Sequence, residues 1–377
     1  MTTLFKFFFL LLAFLIFSCT KKQSTNTEFS RDISFVDNLE SNAKERYLDS
    51  INVLLQYQKN DSVTRNLYFK ISTEFYNNNN FKKSLSASLM ALKLSKEVDD
   101  KEGIAKALYY IGDSYVNVKK DSSYFYYLQA QKLYYKLADY DNTARMLFNK
   151  AYVLFYDGNY TECEVEISKA LKLLKGSKDE RLIYSCTTLM GNCLEKLANY
   201  DKALWYHQMA LKSFKTMKFK DIDQDEILNY NVTSIINICN LYDIKGEYSK
   251  SIKKLRELLS KHLKEKSPRL YANVLSNLAY SKMKNGQFDN VYAMFSESLE
   301  IVNKYGNESD VIYKKIHIGE YFLTQRDTSK AIQILKEAKQ LAIRIKNSNE
   351  ILTSLKLLSV LDKHNRFYYA NEYIKLS

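Results

Sequence analysis

Small residues recur along this chain at a spacing that leaves few folds open. The first of two paired sites falls at Ser72, Gly112, Ala151, Gly191, Cys239, Ala279 and Gly319, at successive intervals of 40, 39, 40, 48, 40 and 40 residues. A second series follows at Ser84, Ser123, Cys163, Ala203, Ser251, Val291, Ala331 and Ala370. Seven residues beyond these lie Ala91, Ala130, Ala170, Ala210, Leu258, Ser298 and Ala338. Small side chains let two helices approach without leaving a void. A fixed period means that one helical hairpin is copied and stacked. An aromatic residue opens the second helix of most copies, at Phe81, Tyr160, Tyr200, Tyr248, Phe288 and Phe367. Turn residues precede it in Gly158-Asn159, Gly246-Glu247 and Gly286-Gln287.

The clearest copy is Tyr184 to Leu211, YSCTTLMGNCLEKLANYDKALWYHQMAL. In it Gly191 admits the second helix, Tyr200 opens that helix, and Ala203 and Ala210 keep its inner face narrow. This pattern resembles the tetratricopeptide repeat (TPR) family. The resemblance runs from about residue 65 to the end of the chain. It implies an all-α fold, a right-handed α-solenoid of about eight TPR-like helical hairpins with a long, roughly 40-residue period where about 34 is usual. The extra residues lengthen each helix by roughly 4 Å at about 1.5 Å per residue. HEAT-like repeats share the longer period, but the small-site pattern favours the TPR reading. One Pro and nine Gly among 377 residues suit long helices with short turns, and 31 Tyr with 20 Phe supply a continuous core.

Five segments follow: 1–18, 19–32, 33–60, 61–214 and 215–377. In the first, Lys6 precedes an apolar run from Phe7 to Phe17 that ends in Leu15-Ile16-Phe17-Ser18-Cys19. The run is too short to cross a bilayer as a mature helix. It resembles a bacterial lipoprotein signal of Bacteroidetes type, which implies that Cys19 is the lipidated first residue. The body would then sit in the cell envelope, membrane-anchored on the periplasmic face of the outer membrane. Phe17 is bulkier than that pattern usually has, and a plain signal peptide is the alternative. Residues 19–32 read as a flexible, lipid-anchored tether. In 33–60, Phe35, Leu39, Ala43, Tyr47, Ile51, Leu54 and Leu55 form one apolar helical face, an N-terminal cap for the stack. Asn60-Asp61-Ser62 ends it and can cap the next helix. Residues 61–214 hold repeats one to four and 215–377 repeats five to eight. The 48-residue interval contains KTMKFKDIDQDE (215–226), read as a seam between sub-stacks or as a longer helix. The last repeat, from near Ile351, reads as incomplete.

No catalytic constellation is present in the sequence. The four histidines, His207, His262, His317 and His364, form no HExxH arrangement, and the glycines form no phosphate-binding loop. No enzyme activity, cofactor or metal is therefore expected. The formal charge of +13 is dispersed, with no DNA-binding motif beside it, so nucleic acid is not an expected partner. Cys163 and Cys239 fall on packing sites. Cys186 and Cys193, seven residues apart, lie about 10 Å apart along one helix, beyond disulfide reach. Cys163 with Cys193 is an inter-helix pairing conceivable in an oxidising compartment.

The functional expectation rests on the concave face that the resemblance implies. Counting from the first small site selects Tyr109, Asn149, Tyr152, Asn192, Asn237, Asn240, Asn277 and Tyr280, with Asp113, Phe155, Glu195 and His317 beside them. An Asn amide both donates and accepts, so a row of them can pair an extended backbone without reading its sequence. Tyr adds apolar contact with a polar tip. The chain is rich in Asn, Lys and Tyr throughout, and that composition alone also supplies such residues. The Lys-plus-Asn clamp that some TPR proteins use for terminal carboxylates is not reproduced. A membrane-anchored scaffold that binds a protein or peptide partner, as an adaptor or assembly factor, is the leading reading. The alternative is an extracytoplasmic sensory module of a signal-transduction or transcription regulator, as units such as DDKEGIAKALYYIGDSY (99–115) suggest by resemblance. A glycan-binding lipoprotein is disfavoured by the single Trp, Trp205.

Overall fold

The computed structural model describes residues 41–116, 118–216, 224–345 and 347–376. The signal segment, Cys19 and the tether lie outside them. Eighteen helices and no strand occur among the described residues. They fall in two compact units, with the division between Val153 and Leu154. The first unit holds α1 (Ser41–Leu55), α2 (Ser62–Asn77), α3 (Phe81–Glu97), α4 (Lys101–Tyr115), α5 (Lys120–Lys136) and most of α6 (Tyr140–Tyr156). The second holds α7 (Tyr160–Leu173), α8 (Glu180–Lys196), α9 (Tyr200–Thr216), α10 (Gln224–Ile244), α11 (Tyr248–Leu258) and α12 (Lys261–Lys266). It continues with α13 (Pro268–Lys284), α14 (Val291–Tyr305), α15 (Glu308–Thr324), α16 (Thr328–Arg344), α17 (Ser348–Leu361) and α18 (Arg366–Leu376). In each unit consecutive helices pack as hairpins, the all-helical architecture expected from the small-residue period. No described helix is long and apolar enough to cross a membrane.

Local chemistry sets the helix ends. The side chains of Asp61, Asn80, Asp100, Asp179, Asn307, Asp327 and Asn347 accept a bond from the backbone N–H three residues on, satisfying donors the first turn leaves open. Several hairpin turns reverse through a left-handed residue two positions before the second helix opens: Gly158, Gly246, Asn79, Ala198 and Arg326, the last three at φ of 59°, 57° and 61°. Gly286 is left-handed too, but there the helix opens at Val291 after a second left-handed residue, Asn290, and not at Phe288 as the spacing predicts. The sequence marks only the glycine turns. Those at Asn79, Ala198 and Arg326 are imposed by the hairpin packing on residues that tolerate the region less well.

The small sites lie where the period puts them. Ser72, Ala151, Cys239, Ala279, Ser84, Ser123, Cys163, Ala203, Ser251, Val291 and Ala331 are all buried. At the glycines the approach is closest. A Cβ added to Gly112 would stand 2.6 Å from the Tyr127 ring, at Gly191 2.5 Å from His207 Cε1, and at Gly319 2.8 Å from Leu335 Cγ.

Two sites depart from expectation. Leu258 is half-buried, because α11 stops there, and Ser260 caps the short α12 before Pro268 starts α13. Leu255 is the fully buried apolar residue of that helix instead. Ala370 is also only partly buried, since no described helix follows α18 to cover it. Of the charged stretch 215–226, residues 217–223 lie outside the described ones; α9 ends at Thr216 and the 21-residue α10 starts at Gln224. Cys163 on α7 and Cys193 on α8 are joined by a disulfide with Cα atoms 6.9 Å apart, while Cys186 and Cys239 are buried outside that bond.

Candidate functional site

The first helices of successive hairpins in the second unit are α8, α10, α13, α15 and α17, each in contact with the next, and the candidate site is the face that carries their side chains beside the packing stripe. Its centre lies between α13 and α15. The ring of His317 stacks on Tyr280 with centroids 4.5 Å apart and lies 4.2 Å from Tyr313. Tyr313 Oη donates to Asn277 Oδ1 at 3.3 Å, and Asn277 Nδ2 donates to the Asn273 carbonyl at 2.8 Å. Ser276 Oγ stands 3.3 Å from His317 Nδ1. Beneath this shelf Lys314, 1% exposed, donates to Asn273 Oδ1 at 2.7 Å. Burial pushes Lys314 down to about 7 and His317 down to about 3, the latter helped by the nearby Lys314 and Lys284 charges. The imidazole is therefore neutral at physiological pH, and the shelf is an aromatic and amide surface.

Distant helices close on this face. Tyr160 Oη, at the start of α7, donates to Asn349 Oδ1 on α17 at 3.1 Å, a contact between residues 189 apart in sequence. Burial raises the Tyr313 phenol, and the charges of Glu350, Tyr280, Glu195 and Glu320 raise it further. Glu195 and Glu350 are themselves held above the ordinary carboxyl value by burial, opposed by Lys196. On the other side Tyr184 Oη ties α8 to α10 through Ser234 Oγ at 2.8 Å and the Tyr230 carbonyl at 3.0 Å.

The residues selected from sequence meet different fates here. Asn192, Asn237 and Asn240 are partly exposed and make no side-chain hydrogen bond to another described residue. Asn277 is buried, with both ends of its amide engaged, so it braces the shelf and does not present a free amide. Tyr280 is half-buried in the shelf itself, with Lys284 Nζ 5.0 Å from its ring centroid. The other three belong to the first unit. There Tyr109 lies against Tyr110 and Tyr127, with ring centroids 5.1 and 6.4 Å away. Tyr127 Oη donates to Asp113 Oδ1 at 2.6 Å, and burial pushes that carboxyl up to about 7 against the bonds from Tyr127 and Tyr109. Asn149 is partly exposed without a side-chain bond to another described residue, and Tyr152 is 41% exposed. Cys19 lies outside the described residues.

Tyr313, Asn273, Lys314, Glu350 and Asn349 were not selected from sequence. Asn273 and Tyr313 lie six residues before Ala279 and Gly319, one turn back along the stripe that holds Asn277 and His317. Extending the stripe by that turn would have found them. Among the described residues no group of three or more His, Cys, Asp or Glu is placed to hold a metal ion.

No protein-family model and no curated protein sequence matches the chain. Solved structures do resemble it. A Rap protein complexed with competence and sporulation factor superposes with TM-score 0.61 at 14% identity, over 89% of this chain and 91% of that one. The apo quorum sensor NprR from B. thuringiensis gives 0.61 at 13%, over 93% and 97%. A tetratricopeptide repeat protein from Parabacteroides merdae gives 0.51 at 14%, over 77% and 98%. At these identities the likeness is one of fold, and in fold the chain is a TPR-like helical repeat protein.

Proposed function

We propose that the inner face of the second unit captures an extended peptide segment of a partner, and that the chain is a non-catalytic binding scaffold. The observation that carries this reading is the set of uncommitted amides at Asn192, Asn237 and Asn240, set beside a braced shelf of Tyr280, Tyr313 and His317. Free amides bond a backbone from either side, and the half-buried rings of Tyr280 and Tyr313, braced by the buried His317, supply contact area at low entropic cost. The Rap protein named above was solved with a bound factor, which supports the same use of a similar fold. A photo-cross-linking residue in place of Asn240 tests it, with the exposed position Trp205 on the second helix of its hairpin as control. Partner adducts are expected at position 240 alone and are expected to fall several-fold when Asn192 and Asn237 are changed to Ala. Equal labelling at both positions would remove the assignment.

For the setting, we propose anchoring to the outer membrane through a lipid on Cys19, with the body on the periplasmic face. The apolar run before Ser18-Cys19 motivates this, and the Cys163–Cys193 bond suits an oxidising compartment. Incorporation of a palmitate analogue that persists in Cys19→Ala would sink it. A sensory role is the second reading, since NprR is described as a quorum sensor. There, capture at the same face would change a downstream signal.

A further inference from the structure

Much of the net positive charge lies in one short stretch, not in the even dispersal that the whole-chain composition predicts. Residues 250–269 hold eight Lys or Arg against two Glu, a net +6 within a chain of +13. Here the second helix of a hairpin is interrupted: α11 stops at Leu258, Ser260 caps α12, and Pro268 opens α13. Ile252 and Leu255 of α11 and Leu263 of α12 are buried in one apolar cluster with Val274 and Leu278 of α13. The two helices thus turn their apolar sides to a common core and leave their cations outside it. Lys250, Lys264, Lys266 and Arg269 each meet a carboxylate, of Glu247, Glu297, Asp225 and Asp310 respectively. Lys253 and Arg256 are exposed and Lys254 half-buried, and none of the three is bonded to a carboxylate among the described residues. Glu257, the acid within α11, is bonded to none of them. Like charges one turn apart on a helix repel, so this spacing is a cost that an opposing anionic surface relieves.

The surroundings select the kind of anion. Among the described residues from 245 to 287 no large apolar side chain is exposed, so the surface lacks the apolar anchors on which protein interfaces depend. No Phe, Tyr or Trp lies between 249 and 266 for a base to stack on. Lipid headgroups ask only for cations near their plane, each adding attraction without a matched shape. We propose that the outward side of α11 and α12 docks on anionic phospholipid headgroups through Lys253, Lys254 and Arg256. This rests on the membrane setting above: a lipid holds the chain to the bilayer, and the basic side fixes how the body faces it.

Vesicle co-sedimentation with the full chain tests it, using phosphatidylcholine vesicles with and without added phosphatidylglycerol. Any contribution of the N-terminal apolar run is common to both vesicles and cancels in their ratio. The chain is expected to bind the anionic vesicles at least roughly tenfold tighter at low salt, and to lose that preference at high salt. Lys253→Gln with Lys254→Gln and Arg256→Gln is expected to abolish the preference with unchanged helical circular dichroism. Lys82→Gln with Lys93→Gln and Lys132→Gln removes the same charge from exposed positions of the first unit and is expected to keep it. Equal binding to both vesicles, a preference that survives in the first variant, or one that both variants lose alike would overturn the docking face. Polyglutamate or duplex DNA that displaces the chain from the vesicles at equal charge concentration would reassign the face to an acidic macromolecule and overturn the lipid assignment. Lipid labelling at Cys19 is read separately, so the anchor and the docking face can fail independently.

Discussion

The seams between hairpins in the two units use one register and different chemistry. In the first unit, Ser84 Oγ on α3 meets Ser72 Oγ of α2 at 3.0 Å and Ser114 Oγ of α4 at 2.9 Å, and Ser72 meets Ser88 at 2.6 Å. In the second, Ser251 on α11 meets Ser281 of α13 at 2.9 Å, and Cys239 takes the place of Ser72 with Sγ 3.8 Å from the Ser251 carbonyl. The added group is Asp243. It accepts from Ser281 at 2.7 Å, is 8% exposed, and has one oxygen, Oδ1, without a partner. Burial pushes this carboxyl up to about 6. The glycine contacts differ in the same way. Gly112 faces Tyr127, whose hydroxyl is bonded to Asp113, whereas Gly191 faces His207, fully buried with neither ring nitrogen partnered. A repeat therefore conserves the space at a seam and leaves open what fills it. Where an ionisable group fills it unpaired, that seam acquires a pH dependence.

The strongest way to break the comparison is Gly191→Ala, whose methyl would overlap the His207 ring. A loss of about 3 kcal/mol is expected in denaturant unfolding, largely restored when His207→Ala is added. Additive losses would show that the two residues do not press on each other.

Next comes His207 itself. Its pKa is pushed down to about 4 by burial. Folded protein thus keeps a neutral ring where the unfolded chain is protonated. Stability is whole above about pH 6.5 and falls by up to roughly 3 kcal/mol as pH drops to about 4. Ile167, Leu255, Phe295 and Leu335 occupy the same register, sixteen residues after their first small site. His207→Leu is therefore expected to fold, to be about 1 kcal/mol more stable at neutral pH, and to lose this acid limb. An unchanged limb would place the titration elsewhere.

Asp243 sharpens the contrast with the opposite sign. Its raised pKa means that the folded state holds a proton the unfolded state has released, so stability falls, by up to roughly 2–3 kcal/mol, as pH rises from about 4 through 6. Asp243→Asn is expected to flatten that slope, and the same slope in the variant would contradict the assignment. The smallest effect is at the turns. Ala198→Gly is expected to add about 0.5–1 kcal/mol, because its left-handed backbone suits Gly better than Ala. A loss would show that the turn is not strained.

Legibility follows the range of each interaction. Gly191 and Ala203 announce a hairpin because the helices they join are consecutive and any copy must solve the same packing problem. Asn237 and Asn240 could be placed beside the stripe by counting, and their amides are uncommitted in the structure. Asn277 satisfied the same count, yet Tyr313 of the next hairpin occupies its oxygen. That bond depends on two side chains 36 residues apart, and no local pattern reports it. Ala198 and Arg326 in left-handed turns were invisible for the reverse reason, since packing overrides a weak local preference.

By itself the sequence determined the helical hairpin, its period, and which positions had to be small, because those depend on contacts between neighbouring helices. Only the tertiary structure decided that Tyr160 reaches Asn349 and that Tyr313 takes up the amide oxygen of Asn277. Such meetings depend on the small rotations between successive hairpins summed over many repeats, and no single residue encodes that sum.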